Sequence, residues 1–211
     1  MLRVFEPKLN FRDYISVLRT LYQNNISGTS PVVGKFEKYL AQTFEMKEAV
    51  SLSNGSVALE MAFRSLDLEE GDEVILPSFT IISCLSAIIR AGATPIFCDV
   101  DEISWNMTLE NVANKYSKNT KAILMVHTYG LAAEAEKIRN FCDSNNLILI
   151  EDTAEAHGQV VSGQKCGSFG DISTLSFYAN KHITTGEGGA VLSNNKEYIG
   201  RLRQLINLDF R

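Results

Sequence analysis

Residues 147–158 read LILIEDTAEAHG, a continuous apolar run that ends abruptly in carboxylates and small residues. The run does not alternate polar with apolar, so a strand over 147–151 is buried on both faces, as in a parallel sheet covered by helices. The same texture recurs at residues 49–52, 73–76, 95–99, 122–126, 174–177 and 190–193. Helical patterns fall between the strands at 56–66, 80–91, 109–116 and 133–144. Further helices are expected over 11–22 and 34–44 before the first strand and over 196–208 after the last. Turn residues punctuate the series, as in Glu70-Gly71-Asp72 and Ala91-Gly92-Ala93. The pattern predicts an α/β protein with a mostly parallel seven-stranded sheet and helices on both faces.

A chain of 211 residues is long enough to bury a substantial core. Its 45% hydrophobic and 21% charged residues are those of an ordinary globular protein. With a net charge of −5 and no basic cluster, nucleic acid is not an expected partner. The opening MLRVFEPKLNFRDY lacks the apolar core of a secretory signal. No apolar run approaches the roughly 20 residues of a membrane span. Cys84, Cys98, Cys142 and Cys166 form no CxxC pair, which suits free thiols in a reducing cytoplasm. His127, His157 and His182 show no metal-ligand spacing, so no metal is expected. Dinucleotide, Walker, HExxH and GxSxG signatures are absent.

Parallel sheets place ligands beyond the carboxyl ends of their strands. Those ends carry Ser53-Asn54-Gly55-Ser56, Ser78-Phe79-Thr80, His127-Thr128-Tyr129-Gly130 and Asp152-Thr153-Ala154-Glu155. Residues 177–190, FYANKHITTGEGGA, put Lys181 between a buried strand and a glycine-rich turn. A lysine held against apolar walls loses ammonium stability and can form a Schiff base; a lone lysine on a solvated loop is the plain alternative. Asp152, at the end of an apolar strand, needs a partner to stay ionised. A protonated pyridine nitrogen and a helix N-cap are equally good readings. Glu155 suits a ring hydroxyl or simply a surface position in a first helical turn. His157 could line the site, but reads first as a satisfied structural histidine. Gly55 and Ser56 open a helix directly after a strand, where free N–H groups and a hydroxyl suit a phosphate. Ser176 offers a second hydroxyl or is an ordinary strand residue.

Taken in order, VGKFEKYLA, SNGSVALEMAFRSL, EEGDEVILPSFT, AGATPIFCDVD, TKAILMVHTYG, LILIEDTAEAHG, CGSFGDISTLSFYANK and TTGEGGAVLSNN resemble the DegT/StrS family of sugar aminotransferases. SWNM at 104–107, Glu155 and NKHITTGEGG look most like its perosamine-synthase branch. The resemblance implies the large domain of a fold-type I transferase that uses pyridoxal 5′-phosphate. Lys181 would hold the cofactor and shuttle the proton, Asp152 would pair with the pyridine nitrogen, and Glu155 would lie near the ring oxygen. Gly55, Ser56 and Ser176 would hold the phosphate. A dehydratase branch has histidine in place of the lysine; Lys181 favours transamination. An amino acid, glutamate by this reading, would give its amine to a keto-deoxy sugar nucleotide such as GDP-4-keto-6-deoxymannose.

Two departures stand out. Family chains often carry an aromatic residue over the cofactor at the position of Ile81, so stacking here is either weaker or comes from neighbouring Phe79. They also continue into a smaller C-terminal domain. The expected organisation is an N-terminal segment at 1–33 and a cofactor-binding large domain at 34–211, the small domain absent. The resemblance also implies a cytoplasmic homodimer serving surface-polysaccharide or O-antigen synthesis. The alternative is a truncated, catalytically silent domain that binds the cofactor or pairs with another chain.

Overall fold

The computed structural model describes residues 6–206. Nine strands and seven α-helices follow one another as α1 (Phe11–Tyr22), α2 (Pro31–Thr43), β1 (Glu48–Leu52), α3 (Gly55–Arg64), β2 (Glu73–Pro77), α4 (Ile82–Arg90), β3 (Thr94–Cys98), α5 (Leu109–Ala113), β4 (Thr120–Val126), α6 (Ala135–Asn145), β5 (Ile148–Asp152), β6 (Val160–Val161), β7 (Gln164–Lys165), β8 (Ile172–Ser176), β9 (Gly189–Ser193) and α7 (Lys196–Ile206). The two residues by which the last helix was expected to run further lie outside the described ones. Residues 160–165 form a separate antiparallel hairpin, β6–β7, that the strand pattern did not anticipate.

Seven strands form one sheet in the order β1-β9-β8-β5-β4-β2-β3. All neighbours are parallel except β9, which is antiparallel to both β1 and β8. The continuous apolar strands are explained by two covered faces. Val74, Leu76, Leu124, Ile150 and Val191 point into a core shared with α3, α4 and α7. Ile75, Ile123, Met125 and Leu149 point the other way, towards α5 and α6. Ala49, Ala190 and Leu192 meet α2 on that same second side. An apolar residue at every strand position is what two buried faces require.

Local signals set the helix ends. Asn10 and Asp13 make a reciprocal capping box at the start of α1. Pro31 starts α2 three residues ahead of the position expected from periodicity, because its fixed φ and missing N–H suit a first helical turn. Asn54 caps α3 through Val57 N–H. Helix α1 buries none of its residues, leaving Phe11, Tyr14, Leu18 and Leu21 exposed.

Candidate active site

Strands β1, β2, β4, β5 and β8 end at one edge of the sheet, and β9 begins there. Because β9 returns antiparallel beside β8, the 177–188 connection stays at that edge. Backbone bonds from Phe177 N–H to Gly188 O (2.8 Å) and from Thr185 N–H to Phe177 O (3.0 Å) close it. Lys181 is thereby held over the carboxyl ends of the neighbouring strands.

Those ends surround a cleft with two lobes, of about 300 and 480 Å³. Ile81, Asp152, Ala154, Glu155 and Lys181 line both. Phe79, His127, Thr128 and Tyr129 close the first lobe; Asn54, Gly55, Ser56, Ser83, Ser176 and Asn180 line the second. Every residue singled out from the sequence for the cofactor thus borders one cleft.

At its centre Lys181 Nζ donates to Glu155 Oε1 at 2.9 Å, with the lysine side chain 14% exposed. Glu155 Oε2 accepts the Tyr129 N–H, also at 2.9 Å. Burial alone would raise the Glu155 carboxyl, but the Lys181 ammonium and the Tyr129 N–H bring it below the ordinary range. Asp152 is buried; its Oδ1 accepts Ala154 N–H at 3.0 Å and Thr174 Oγ1 at 3.4 Å. Burial pushes its carboxyl up, against the Ala154 N–H and the nearby Lys181 charge. No helix follows Asp152: residues 153–158 form turns, so neither the N-cap reading of Asp152 nor the helical-turn placement of Glu155 holds.

In the second lobe, α3 abuts the sheet so closely that a side chain at its first residue has no room. A Cβ on Gly55 would come within 2.7 Å of Ser176 Cβ, and one on Gly189 within 2.3 Å of the Asn54 carbonyl. Two glycines therefore set the α3 N-terminus against β8 and β9, with the N–H groups of its first turn and the Ser56 hydroxyl at the cleft. Ser83, from the first turn of α4, shares a 2.7 Å hydrogen bond with Ser56 Oγ. Sequence reasoning missed it, since a serine inside TIISCLSAII carries no signal until α4 packs beside α3.

The first lobe has an aromatic lip. Phe79 meets Trp105 edge-on at 4.9 Å and Tyr129 at 6.0 Å. Trp105 and Tyr129 both have positive φ (58° and 54°), which only specific bonding sustains. Asn106, buried, supplies part of it: its Oδ1 accepts Thr128 N–H at 2.8 Å and its Nδ2 donates to Ser104 O at 2.9 Å. Ile81, 60% exposed, lies on the cleft wall where stacking was expected to be weak.

Beneath the cleft Glu151, fully buried, accepts from Gly167 N–H (2.6 Å), Phe169 N–H (2.8 Å), Gly170 N–H (2.9 Å), Ser173 Oγ (3.1 Å) and His127 Nε2 (2.9 Å). His127 Nδ1 accepts Ala133 N–H at 3.1 Å, which suits the Nε2–H tautomer; burial works against a charged ring, but Cys166 and Glu151 beside it raise its pKa to about 9. His127, Glu151 and Cys166 lie close enough together to suggest a metal. The donors already on Glu151 make the group a hydrogen-bonded strut instead. His157 departs from expectation. It packs on Phe44 and Phe177, yet among the described residues neither ring nitrogen has a hydrogen-bond partner. Burial, with the Lys181 and His182 charges, pushes it down to about 4, so the unpartnered ring is neutral.

A mostly parallel, helix-covered sheet that gathers a lysine, a buried aspartate and a serine-lined helix N-terminus in one cleft belongs to the α/β class of fold seen in solved aminotransferases. Within it, the profile of the DegT/DnrJ/EryC1/StrS aminotransferase family matches residues 12–211, and the chain belongs to that family. GDP-perosamine synthase of Vibrio cholerae is 41% identical over 209 residues, covering 98% of this chain and 56% of its own. GDP-perosamine synthase of Escherichia coli O157:H7 is 43% identical over 94% of this chain and 54% of its own. The solved aminotransferase TlmJ from Streptoalloteichus hindustanus superposes with a TM-score of 0.93 at 33% identity, covering 99% of this chain and 57% of that one. The chain thus spans about half the length of the relatives it matches. Among the described residues no helix is long and apolar enough to cross a membrane.

Aminotransferases of this family are in general dependent on pyridoxal phosphate, and the cleft fits that group. Hydroxyls gather at the α3 end, the buried carboxylate lies at the end of β5, and the lysine amine borders both lobes.

Proposed function

We propose that this chain is the cofactor-binding domain, residues 34–211 with the N-terminal segment 1–33, of an aminotransferase acting on a keto-deoxy sugar nucleotide in the cytoplasm. A GDP-linked 4-keto sugar is the acceptor and an amino acid, glutamate first, the donor. The observation that carries the reading is the convergence of Lys181, Asp152 and the Ser56–Ser83–Ser176 hydroxyls on one cleft. The kinship to GDP-perosamine synthases supports the choice of sugar, and four buried free thiols suit a reducing compartment.

When bound, pyridoxal phosphate supplies the electron sink for moving the amine. The chain's own groups then have separate tasks. The α3 N-terminus with Gly55, Ser56, Ser83 and Ser176 holds the phosphate. Asp152 offers its carboxylate to the ring nitrogen, and Phe79 gives an apolar wall. Lys181 Nζ would be the attachment point and proton carrier; Glu155 Oε1, 2.9 Å away, holds the lysine amine in place at the centre of the cleft.

Mixing the protein with pyridoxal phosphate is expected to give a lysine-bound cofactor absorbance band that is lost in Lys181→Ala. No band in the wild type sinks the reading. Transfer from glutamate to the keto sugar nucleotide then tests the substrates, and binding without turnover identifies a catalytically silent domain. A homodimer is part of the proposal, supported by exposed Ile81 and Tyr129 on the cleft wall and by exposed Trp105, which packs on Phe79 there. A monomer by sedimentation with cofactor bound counts against it.

A further inference from the structure

Cys84 follows Ser83 in the first turn of α4 and is wholly buried. Its Sγ lies 3.6 Å from Asp152 Oδ2 and 3.2 Å from Thr80 Oγ1. Asp152 Oδ1 is served by Ala154 and Thr174, so among the described residues the thiol is the one donor to Oδ2. Burial and the adjacent Asp152 charge hold the thiol proton well above its usual range, which leaves Sγ–H free to donate. With that proton spent on Asp152, Thr80 Oγ1 must donate to Sγ. The result is a directed relay from Thr80 through Cys84 to Asp152.

We propose that Cys84 is a positioning residue for Asp152, its thiol holding the carboxylate ionised and aimed while the group stays buried. The role this serves, partnering the cofactor's ring nitrogen, rests on the function proposed above. α4 would then serve both ends of the cofactor, with Ser83 at the phosphate and Cys84 behind the carboxylate. The competing role is plain packing, because Cys84 also touches the apolar cluster containing Ala58, Ala87 and Ile88. A filler needs volume; a positioning residue needs a donor.

Cys84→Thr and Cys84→Val separate the two, having nearly the same shape and differing in the hydroxyl. The other titratable groups facing Asp152 are Lys181 from the β8–β9 connection, His127 from the end of β4 and Glu155 on its own segment, and both variants keep them. Two measurements are made on the protein: the Asp152 carboxyl titration by carbon-13 NMR without cofactor, and the Kd for pyridoxal phosphate by absorbance. In Cys84→Val the Asp152 midpoint is expected to lie above that of Cys84→Thr, since a donor to the charged form has been removed. Its Kd is expected to be about three- to tenfold weaker, the range one weak hydrogen bond commands. Equal midpoints in the two variants overturn the proposal, whatever the cofactor does. Different midpoints in proteins that bind no cofactor uphold the Cys84–Asp152 coupling and overturn the cofactor reading instead. Should the added methyl unfold both variants, Cys84→Ser and Cys84→Ala carry the same contrast in smaller side chains.

Discussion

Replacing Glu151 by glutamine leaves the shape of the side chain intact and changes only what it can accept. Its Oε1 takes hydrogen bonds from Gly167 N–H and His127 Nε2, and its Oε2 from Phe169 N–H, Gly170 N–H and Ser173 Oγ. The amide nitrogen must replace one oxygen. With the nitrogen at the Oε1 position it loses two bonds and points N–H groups at N–H groups; at the Oε2 position it also loses two, since the Ser173 hydroxyl can turn to accept. Hydrogen bonds to a charged group contribute about 1.5–3 kcal/mol each. Losing two therefore costs about 3–6 kcal/mol, partly offset because the neutral amide is cheaper to bury than a carboxylate. We expect about 3–4 kcal/mol, a large share of the roughly 5–15 kcal/mol that holds a domain together. For a chain of this length that is a fall in Tm of about 6–16 °C. Thermal and urea unfolding at neutral pH measure it, with Glu155→Gln as the partly exposed control. A loss below about 1 kcal/mol would refute the reasoning. The pH dependence adds a check. Burial alone would raise the Glu151 carboxyl, but the His127 hydrogen bond and the Gly167 and Gly170 N–H groups hold it below its ordinary 4.5. A carboxyl depressed in the folded state contributes stability that is fully present above the unfolded value and lost as pH falls through the folded one. The gap between wild type and Glu151→Gln should thus narrow in acid, below the ordinary carboxylate range.

Other outcomes are expected from the same geometry. Gly55→Ala must displace the start of α3 from Ser176, and overpacking of that kind costs about 1–3 kcal/mol; pyridoxal phosphate affinity should fall about tenfold or more, while an unchanged Kd removes α3 from the phosphate site. Asn106→Ala strands the Thr128 N–H and frees the Trp105 turn, with an expected loss of about 1–3 kcal/mol in urea unfolding. The same variant should quench less of the Trp105 fluorescence on cofactor binding than wild type does. Ser83→Ala should weaken cofactor binding by about two- to tenfold without altering Tm by more than a degree or two, the mark of an exposed hydroxyl used by a ligand.

Much of the fold could be read from residue order because the strands are buried on both faces. An apolar residue at every position of 122–126 and 147–150, in runs too short for a buried helix, fits a strand covered on both faces, and the runs between them carry the helical period. The same logic placed Asp152, Glu155 and the Ser53–Ser56 turn at strand ends, hence on one edge. The β6–β7 hairpin was not legible, since residues 160–165 are too short and too polar to carry a period. Ser83, Cys84 and the Trp105–Asn106 turn were missed for a related reason. Their roles come from neighbours far along the chain, and a serine or cysteine in an apolar helix looks the same whether it faces a core or a cleft.

Sequence by itself determined the layered sheet, its buried strands and which short segments lie at the edge that carries the cleft, because burial writes a periodicity into neighbouring residues. Tertiary structure alone decided the rest. The antiparallel entry of β9 between β1 and β8 keeps the Lys181 connection at the same edge as Asp152. The close approach permitted by Gly55 and Gly189 sets α3 against that edge, and the packing of α4 on α3 brings Ser83 to Ser56 and Cys84 to Asp152. These are pairings between residues tens of positions apart, fixed by hydrogen-bond direction and by the space a missing side chain leaves, and no local pattern encodes either.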